Sequence, residues 1–240
     1  MHVDKKNSVE DAINLACHSS LLCRNDVLAM KGLLFELLND AEMFYSDYPM
    51  LVVLGGIPGV GKSAFCASYY SDKCFVIKPE RLKDLYSNCD GFSGDKLLRE
   101  LDAFSSRLLE VLLSILIILS CNILVECPSL GFDYWRKVFF SNYVDLRKYY
   151  KKLVVLLAPT DVCFQSICYQ CQEKKIRDND NSLELITLPL LFEEAKKQEK
   201  VLLEFFNSNL FDDVQLWGKS SMLSGFEWVD INRFKESIMV

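Results

Sequence analysis

The stretch Leu51–Ser63, LVVLGGIPGVGKS, constrains what this chain can fold into more than any other part of it. Val52, Val53 and Leu54 form a short apolar run with β-branched residues, the pattern of a buried strand. Gly56-Ile57-Pro58-Gly59-Val60-Gly61-Lys62-Ser63 then fits G-x-x-x-x-G-K-[ST], the phosphate-binding loop. Ala64–Tyr69 contains no helix breaker, so a helix is expected next. Strand, glycine loop and helix in that order are the context the motif requires; the alternative is an accidental glycine-rich turn. Glycines at 56, 59 and 61 permit positive φ and let a ligand approach the backbone closely. Their N–H groups at a helix N-terminus form an anion nest, reinforced by the macrodipole. Lys62 can reach the β- and γ-phosphates, and the Ser63 hydroxyl can ligate Mg²⁺. Gly56, Pro58, Gly59, Val60, Gly61, Lys62 and Ser63 are therefore the expected contacts of a nucleoside triphosphate, taken as ATP.

Length and composition bound the rest. A chain of 240 residues, half of them hydrophobic, suits one α/β domain with a sizeable core. Its formal net charge of −6 gives no basic footprint, which argues against an extended nucleic-acid surface. Ten cysteines lie mostly in apolar segments. With a nucleotide loop and no secretory signal, they read as reduced thiols of a cytoplasmic protein. Cys163, Cys168 and Cys171 resemble part of an iron–sulfur spacing, but the absence of a nearby fourth ligand favours core packing on an amphipathic helix. With only His2 and His18 available, most zinc and triad schemes fall away. Leu108–Val125 is long enough to span a bilayer. Glu110 and Asn122 interrupt it, so a buried helix followed by a strand is the preferred reading, with no membrane span.

Taken in order, the pattern predicts a helix capped by Ser8, a second over Asp26–Asp40, and the loop strand with its helix. Strand two follows at Cys74–Ile77, then a loop over Asn88–Asp95 and a long helix over Lys96–Leu119, with a break expected near Phe104-Ser105. Strand three covers Asn122–Glu126 and a helix Phe132–Tyr149, whose closing basic residues Arg147, Lys148, Lys151 and Lys152 would complement its dipole. Strand four is Leu153–Leu157, with helices over Val162–Gln172 and Pro189–Asn207, strand five at Val214–Trp217, and a short possible strand near Phe226–Val229. The fold expected is a three-layer phosphate-loop kinase plan with a mainly parallel five-stranded sheet. Functional groups in such sheets gather beyond the carboxyl ends of strands. Glu80 stands there after strand two, either as a catalytic base or simply as an acid opening the next helix. Glu126 ends strand three and can orient a metal-bound water or substrate, or be a solvated strand-end acid. Glu173–Leu183, the most polar segment, reads as a lid whose Arg177 can clamp phosphates as it closes.

These segments together resemble the zeta-toxin family of phosphoryl-transfer enzymes, over roughly Asp26–Lys219. Gly55–Ser63 is similar to that family's GG-x-PG-x-GK-[ST]. Val76-Ile77-Lys78-Pro79-Glu80 resembles its V-I-D-x-D, with Lys78 and Glu80 in the aspartate positions; the second of these is the family's base. Ser106–Glu110 looks like the segment whose glutamate contacts the amino-sugar substrate, which would make Glu110 a substrate residue. Leu124-Val125-Glu126 resembles the strand preceding G-T-x-R, although Leu130 replaces the arginine. The helix arginine before the lid corresponds to Gln170. Asn209–Val214 fits G-L-F-x-D-I. The resemblance implies transfer of the ATP γ-phosphate to a small acceptor hydroxyl, in the family that of a UDP-N-acetyl sugar. It also implies an antitoxin-like protein partner. Two alternatives stand beside it: a catalytically weak ATP-binding module acting through a partner, and another small-molecule or nucleoside kinase.

Overall fold

Apolar runs with few polar interruptions suit strands covered on both faces. The computed structural model describes residues 5–19, 24–39, 42–79, 82, 95–127, 131–140, 146–178 and 186–238. Strands β1 (Met50–Gly55), β2 (Phe75–Ile77), β3 (Ile123–Glu126), β4 (Tyr150–Leu157), β5 (Asp213–Gly218) and β6 (Glu227–Val229) form one sheet in the order β2-β3-β1-β4-β5-β6. Leu51–Leu54 and Leu153–Leu156 are fully buried. Pairing is parallel between β2 and β3 and between β4 and β5, and antiparallel between β5 and β6. The short segment expected near Phe226–Val229 is β6, so the sheet has six strands rather than five. Parallel neighbours need crossovers rather than hairpins. Helices α3 (Lys62–Tyr69), α4 (Asp95–Ile118), α5 (Phe132–Phe140), α6 (Thr160–Asp178) and α7 (Leu188–Phe206) fill those intervals. Helices α1 (Lys5–Ser19) and α2 (Arg24–Asn39) precede β1, and α8 (Ile231–Ile238) follows β6. The fold is α/β, mainly parallel, with helices flanking the sheet.

The chain falls into two compact units, divided within β1 after Leu51. The first comprises Met1–Leu51, Lys73–Val125 and Trp135–Tyr150. In it α1 packs on α2 and on α4, and Lys31 Nζ donates to Asn14 Oδ1 at 2.8 Å. Helix α4 buries Leu108, Leu112, Leu116 and Ile115 on adjacent turns while Arg107 and Glu110 stay exposed, the pattern of a core helix. Its end explains why the apolar stretch Leu108–Val125 does not continue as one helix. Ser120 adopts φ 53°, Cys121 N–H donates to Leu116 C=O at 2.9 Å, and Ser120 N–H donates to Ile117 C=O at 3.0 Å. That pair of bonds is a Schellman C-cap, and it turns the chain into β3. Among the described residues no helix is long and apolar enough to cross a membrane.

The second unit comprises Val52–Asp72, Glu126–Tyr134 and Lys151–Val240. Phe65 of α3 anchors an aromatic cluster, with ring centroids 5.5 Å from Trp217 of β5, 5.3 Å from Phe226 and 4.5 Å from Tyr69. The pairs with Trp217 and Phe226 are edge-to-face, an arrangement that contributes about 0.5–1.5 kcal/mol each beyond area burial. They hold the β5–β6 segment against the helix that follows the loop.

Several sequence expectations change. Helix α1 begins at Lys5, so Ser8 lies inside it; nothing between those residues breaks a helix. Helix α5 ends at Phe140, and Leu146–Tyr149 is a turn closed by Tyr149 N–H on Leu146 C=O at 3.0 Å. Lys151 and Lys152 open β4 and pair with Asp212 at 3.8 Å and Asp213 at 3.7 Å, rather than ending a helix. Those carboxylates arrive through strand pairing, which local sequence does not reveal. The first part of the expected lid, up to Asp178, continues α6; 179–183 and the loop residues 88–94 lie outside the described residues. Helix α4 runs unbroken through Phe104-Ser105.

Candidate phosphate-binding site

Strand β1 delivers its buried carboxyl end to the glycine loop. Gly56, Gly59 and Gly61 have φ of 150°, 79° and 102°, so all three use the conformational freedom that only glycine has without strain. A Cβ on Gly59 would overlap the Cys163 carbonyl of α6, and one on Gly61 would stand 3.2 Å from Lys219 Nζ and 3.5 Å from Phe226. The loop is therefore gripped by the first turn of α6 and by the β5–β6 segment. Val60 N–H donates to Ile57 C=O at 3.3 Å. Among the described residues the Gly59 and Gly61 amides donate no backbone hydrogen bond, as an anion nest requires. Lys62 Nζ donates to Gly56 C=O at 2.7 Å and to Ile57 C=O at 3.4 Å, which lays its cation across the loop.

The carboxylate at the end of β3 meets the loop directly. Cys127 N–H donates to Leu54 C=O at 2.8 Å, which fixes the backbone just after Glu126 against β1. From there Glu126 Oε1 accepts a hydrogen bond from Ser63 Oγ at 2.9 Å. A hydroxyl and a carboxylate at this spacing form a hard-oxygen pair suited to Mg²⁺, which takes few protein ligands and completes its shell with water and phosphate oxygens. Among the described residues no group of three or more His, Cys, Asp or Glu side chains could hold a metal on its own. Cys163, Cys168 and Cys171 all lie on α6 as free thiols. Burial pushes the Cys163 thiol up to about 11, and the cations of Lys219 and Lys62 pull in the opposite direction.

Glu80 lies outside the described residues. Arg177 is in the last turn of α6, and its side chain is outside what is described. Glu110 is exposed on α4 in the first unit, and Gln170 is exposed on α6. Lys219 and Phe226 were not among the candidates. Lys219 caps no motif and Phe226 sits in an unremarkable tail; only their convergence on Gly61 distinguishes them. A cavity of about 310 Å³ adjoins the loop, lined by Ile57, Leu157, Ala158, Pro159, Gly218 and Lys219 among others. It lies at the carboxyl ends of β4 and β5, where ligands of open α/β sheets bind.

No protein-family model and no curated protein sequence matches the chain. Solved structures do. A chain from the PezAT chromosomal toxin–antitoxin system of Streptococcus pneumoniae is similar with TM-score 0.61 and 15% identity, over 82% of this chain and 79% of that one. The AvrRxo1-ORF1:AvrRxo1-ORF2 structure gives TM-score 0.49 and 13% identity, over 98% and 72%. Shikimate kinase of Bacteroides thetaiotaomicron gives TM-score 0.41 and 14% identity, over 80% and 99%. The resemblance to zeta toxins read from the motifs agrees with the first of these at the level of fold. The strand order, the positive-φ glycine loop after β1 and the likeness to the PezAT chain together give this chain a mainly parallel α/β fold with helices flanking the sheet, similar to the fold of that chain.

Proposed function

We propose that the chain is an ATP-dependent phosphotransferase that passes the γ-phosphate to the hydroxyl of a small acceptor. The observation that carries the reading is the 2.9 Å bond from Ser63 Oγ to Glu126 Oε1 beside a loop whose Gly59 and Gly61 amides donate no backbone hydrogen bond among the described residues. Mg²⁺, when bound there, would neutralise developing charge on the phosphate oxygens. Ser63 and Glu126 would hold it, Glu126 directly or through water. Here Glu126 serves the metal side as well as orienting the acceptor. Lys62, already laid over the loop, supplies a cation for the β- and γ-phosphate oxygens. Glu80 takes the acceptor proton, Glu110 orients the acceptor, and Arg177 adds charge from the end of α6. Catalysis of this kind is positioning and electrostatic stabilisation more than covalent chemistry.

A UDP-N-acetyl sugar is the acceptor the sequence resemblance favours. The likeness to a toxin–antitoxin chain supports a search for a protein partner. The test is transfer from Mg-ATP to a panel of UDP sugars, nucleosides and small hydroxy compounds. Lys62→Ala should abolish binding and transfer, Glu126→Gln should raise the Mg²⁺ concentration needed for half-maximal rate, and Glu80→Gln should abolish transfer but keep ATP binding. Full transfer by Glu80→Gln would refute the base assignment, and a wild-type chain that binds no nucleotide would refute the whole reading. Gln170, exposed on α6 at a position where the resemblance expects arginine, favours a second reading. In it the chain binds ATP without efficient transfer and acts through a partner; nucleotide binding with no acceptor in the panel phosphorylated would select it.

A further inference from the structure

Lys219 follows the last residue of β5, and its N–H donates to Leu157 C=O at 3.0 Å, which fixes its backbone at the carboxyl end of the sheet. Its ammonium stands 5.3 Å from the centroid of the Phe226 ring. Phe226 is itself held by Phe65 of the helix that starts at Lys62. This places the ammonium beside Gly61, where an added Cβ would stand 3.2 Å from it. Among the described residues, Lys151, Lys152, Lys196 and Lys197 each pair with an acid. Lys219 forms no ion pair among the described residues, although Glu199 of α7 lines the same cavity. A half-buried cation held beside an aromatic ring and next to the glycine loop, with no ion pair to a carboxylate among the described residues, has an anion as its natural counter-charge.

We propose that Lys219 is a second phosphate-binding cation of the loop, contributed in three dimensions by the end of β5 and aimed by Phe226. This rests on the nucleotide reading above. The side chain has rotatable donors and a long stem, so it can follow a polyphosphate as a point charge rather than as a fixed fork. The proposal separates two roles at the loop: Lys62 comes from the motif itself, and Lys219 adds charge from outside it.

The experiment measures binding of MgATP, MgADP and adenosine to the full chain by titration calorimetry, with unfolding temperature of the ligand-free protein recorded in parallel. Lys219→Met should raise Kd for MgATP and MgADP about tenfold, the size expected for loss of one charge-assisted hydrogen bond. It should leave adenosine binding and the ligand-free unfolding temperature unchanged and flatten the salt dependence. Lys219→Arg should restore binding to within about threefold, and Phe226→Leu, which keeps the charge but loses the ring, should weaken MgATP by less than Lys219→Met does. Wild-type affinity in Lys219→Met, with Lys62→Ala inactive in binding, would overturn the proposal while leaving the loop reading intact. A lowered ligand-free unfolding temperature with no rescue by arginine would also overturn it, in favour of a structural role. If the wild-type chain binds neither MgATP nor MgADP, the loop reading fails and this proposal with it.

Discussion

Substituting alanine for Gly59 probes how tightly the loop is held. Gly59 has φ 79°, and its missing side chain points at the first turn of α6. An added Cβ would overlap the Cys163 carbonyl oxygen and lie 2.9 Å from both the Cys163 carbonyl carbon and Ile167 Cγ1. The obstacle is mostly helix backbone, which cannot rotate away as a side-chain tip can. An L-residue in the left-handed region costs about 1–2 kcal/mol. Overpacking adds about 1–3 kcal/mol. The reduced entropy of the unfolded chain returns about 0.4–1 kcal/mol. The net expectation is destabilisation of roughly 2–4 kcal/mol, or about 5–15 °C in unfolding temperature for a chain of this size. Gly32→Ala is the control: Gly32 sits in α2 with nothing within 4 Å of its Cβ position, so alanine there should stabilise by about 0.5–1 kcal/mol. Urea titrations of both variants give the comparison, with MgATP binding as a second readout. If Gly59→Ala unfolds at the wild-type midpoint and binds nucleotide normally, α6 does not grip the loop and the steric reasoning is wrong.

Two further outcomes follow from buried polar groups in the first unit. Tyr149 Oη bridges the carbonyls of Cys121 at 2.9 Å and Leu116 at 3.2 Å, so Tyr149→Phe should cost about 1–3 kcal/mol, measured by urea unfolding; a loss within error would mean water replaces the hydroxyl. Burial pushes the Cys121 thiol up to about 12 from its ordinary 9.0, and it also raises Tyr149. Because the unfolded chain ionises first, the stability these groups contribute is full below about pH 9 and falls as pH rises toward 12. Urea midpoints should decline over that interval, with a shallower slope in Cys121→Ala; a flat profile in the wild type would contradict the assignment.

What could be read from the sequence was what local geometry governs. The phosphate loop was legible because three glycines, a proline and a lysine specify a backbone path within a few residues, and strand and helix context flank it directly. The strand ends at Glu126 and the helix ends near Ile118 were legible to within a residue or two from apolar periodicity. The basic residues before β4 were misassigned because their partners, Asp212 and Asp213, lie far along the chain and reach them only through parallel pairing. Helix α5 was drawn too long for a related reason, since its aromatic face suits a turn and a strand start as well as a helix.

The sequence by itself determined that a positive-φ glycine loop follows β1 and that an acid ends β3, because backbone conformation and side-chain period are short-range properties. Only the tertiary structure decided which groups meet it. Ser63 and Glu126 are far apart in the chain and 2.9 Å apart in space. Lys219 reaches Gly61 because an aromatic cluster folds β5 and β6 back onto α3. Contacts of that kind depend on strand order and on side-chain packing across long separations, and no local pattern encodes them.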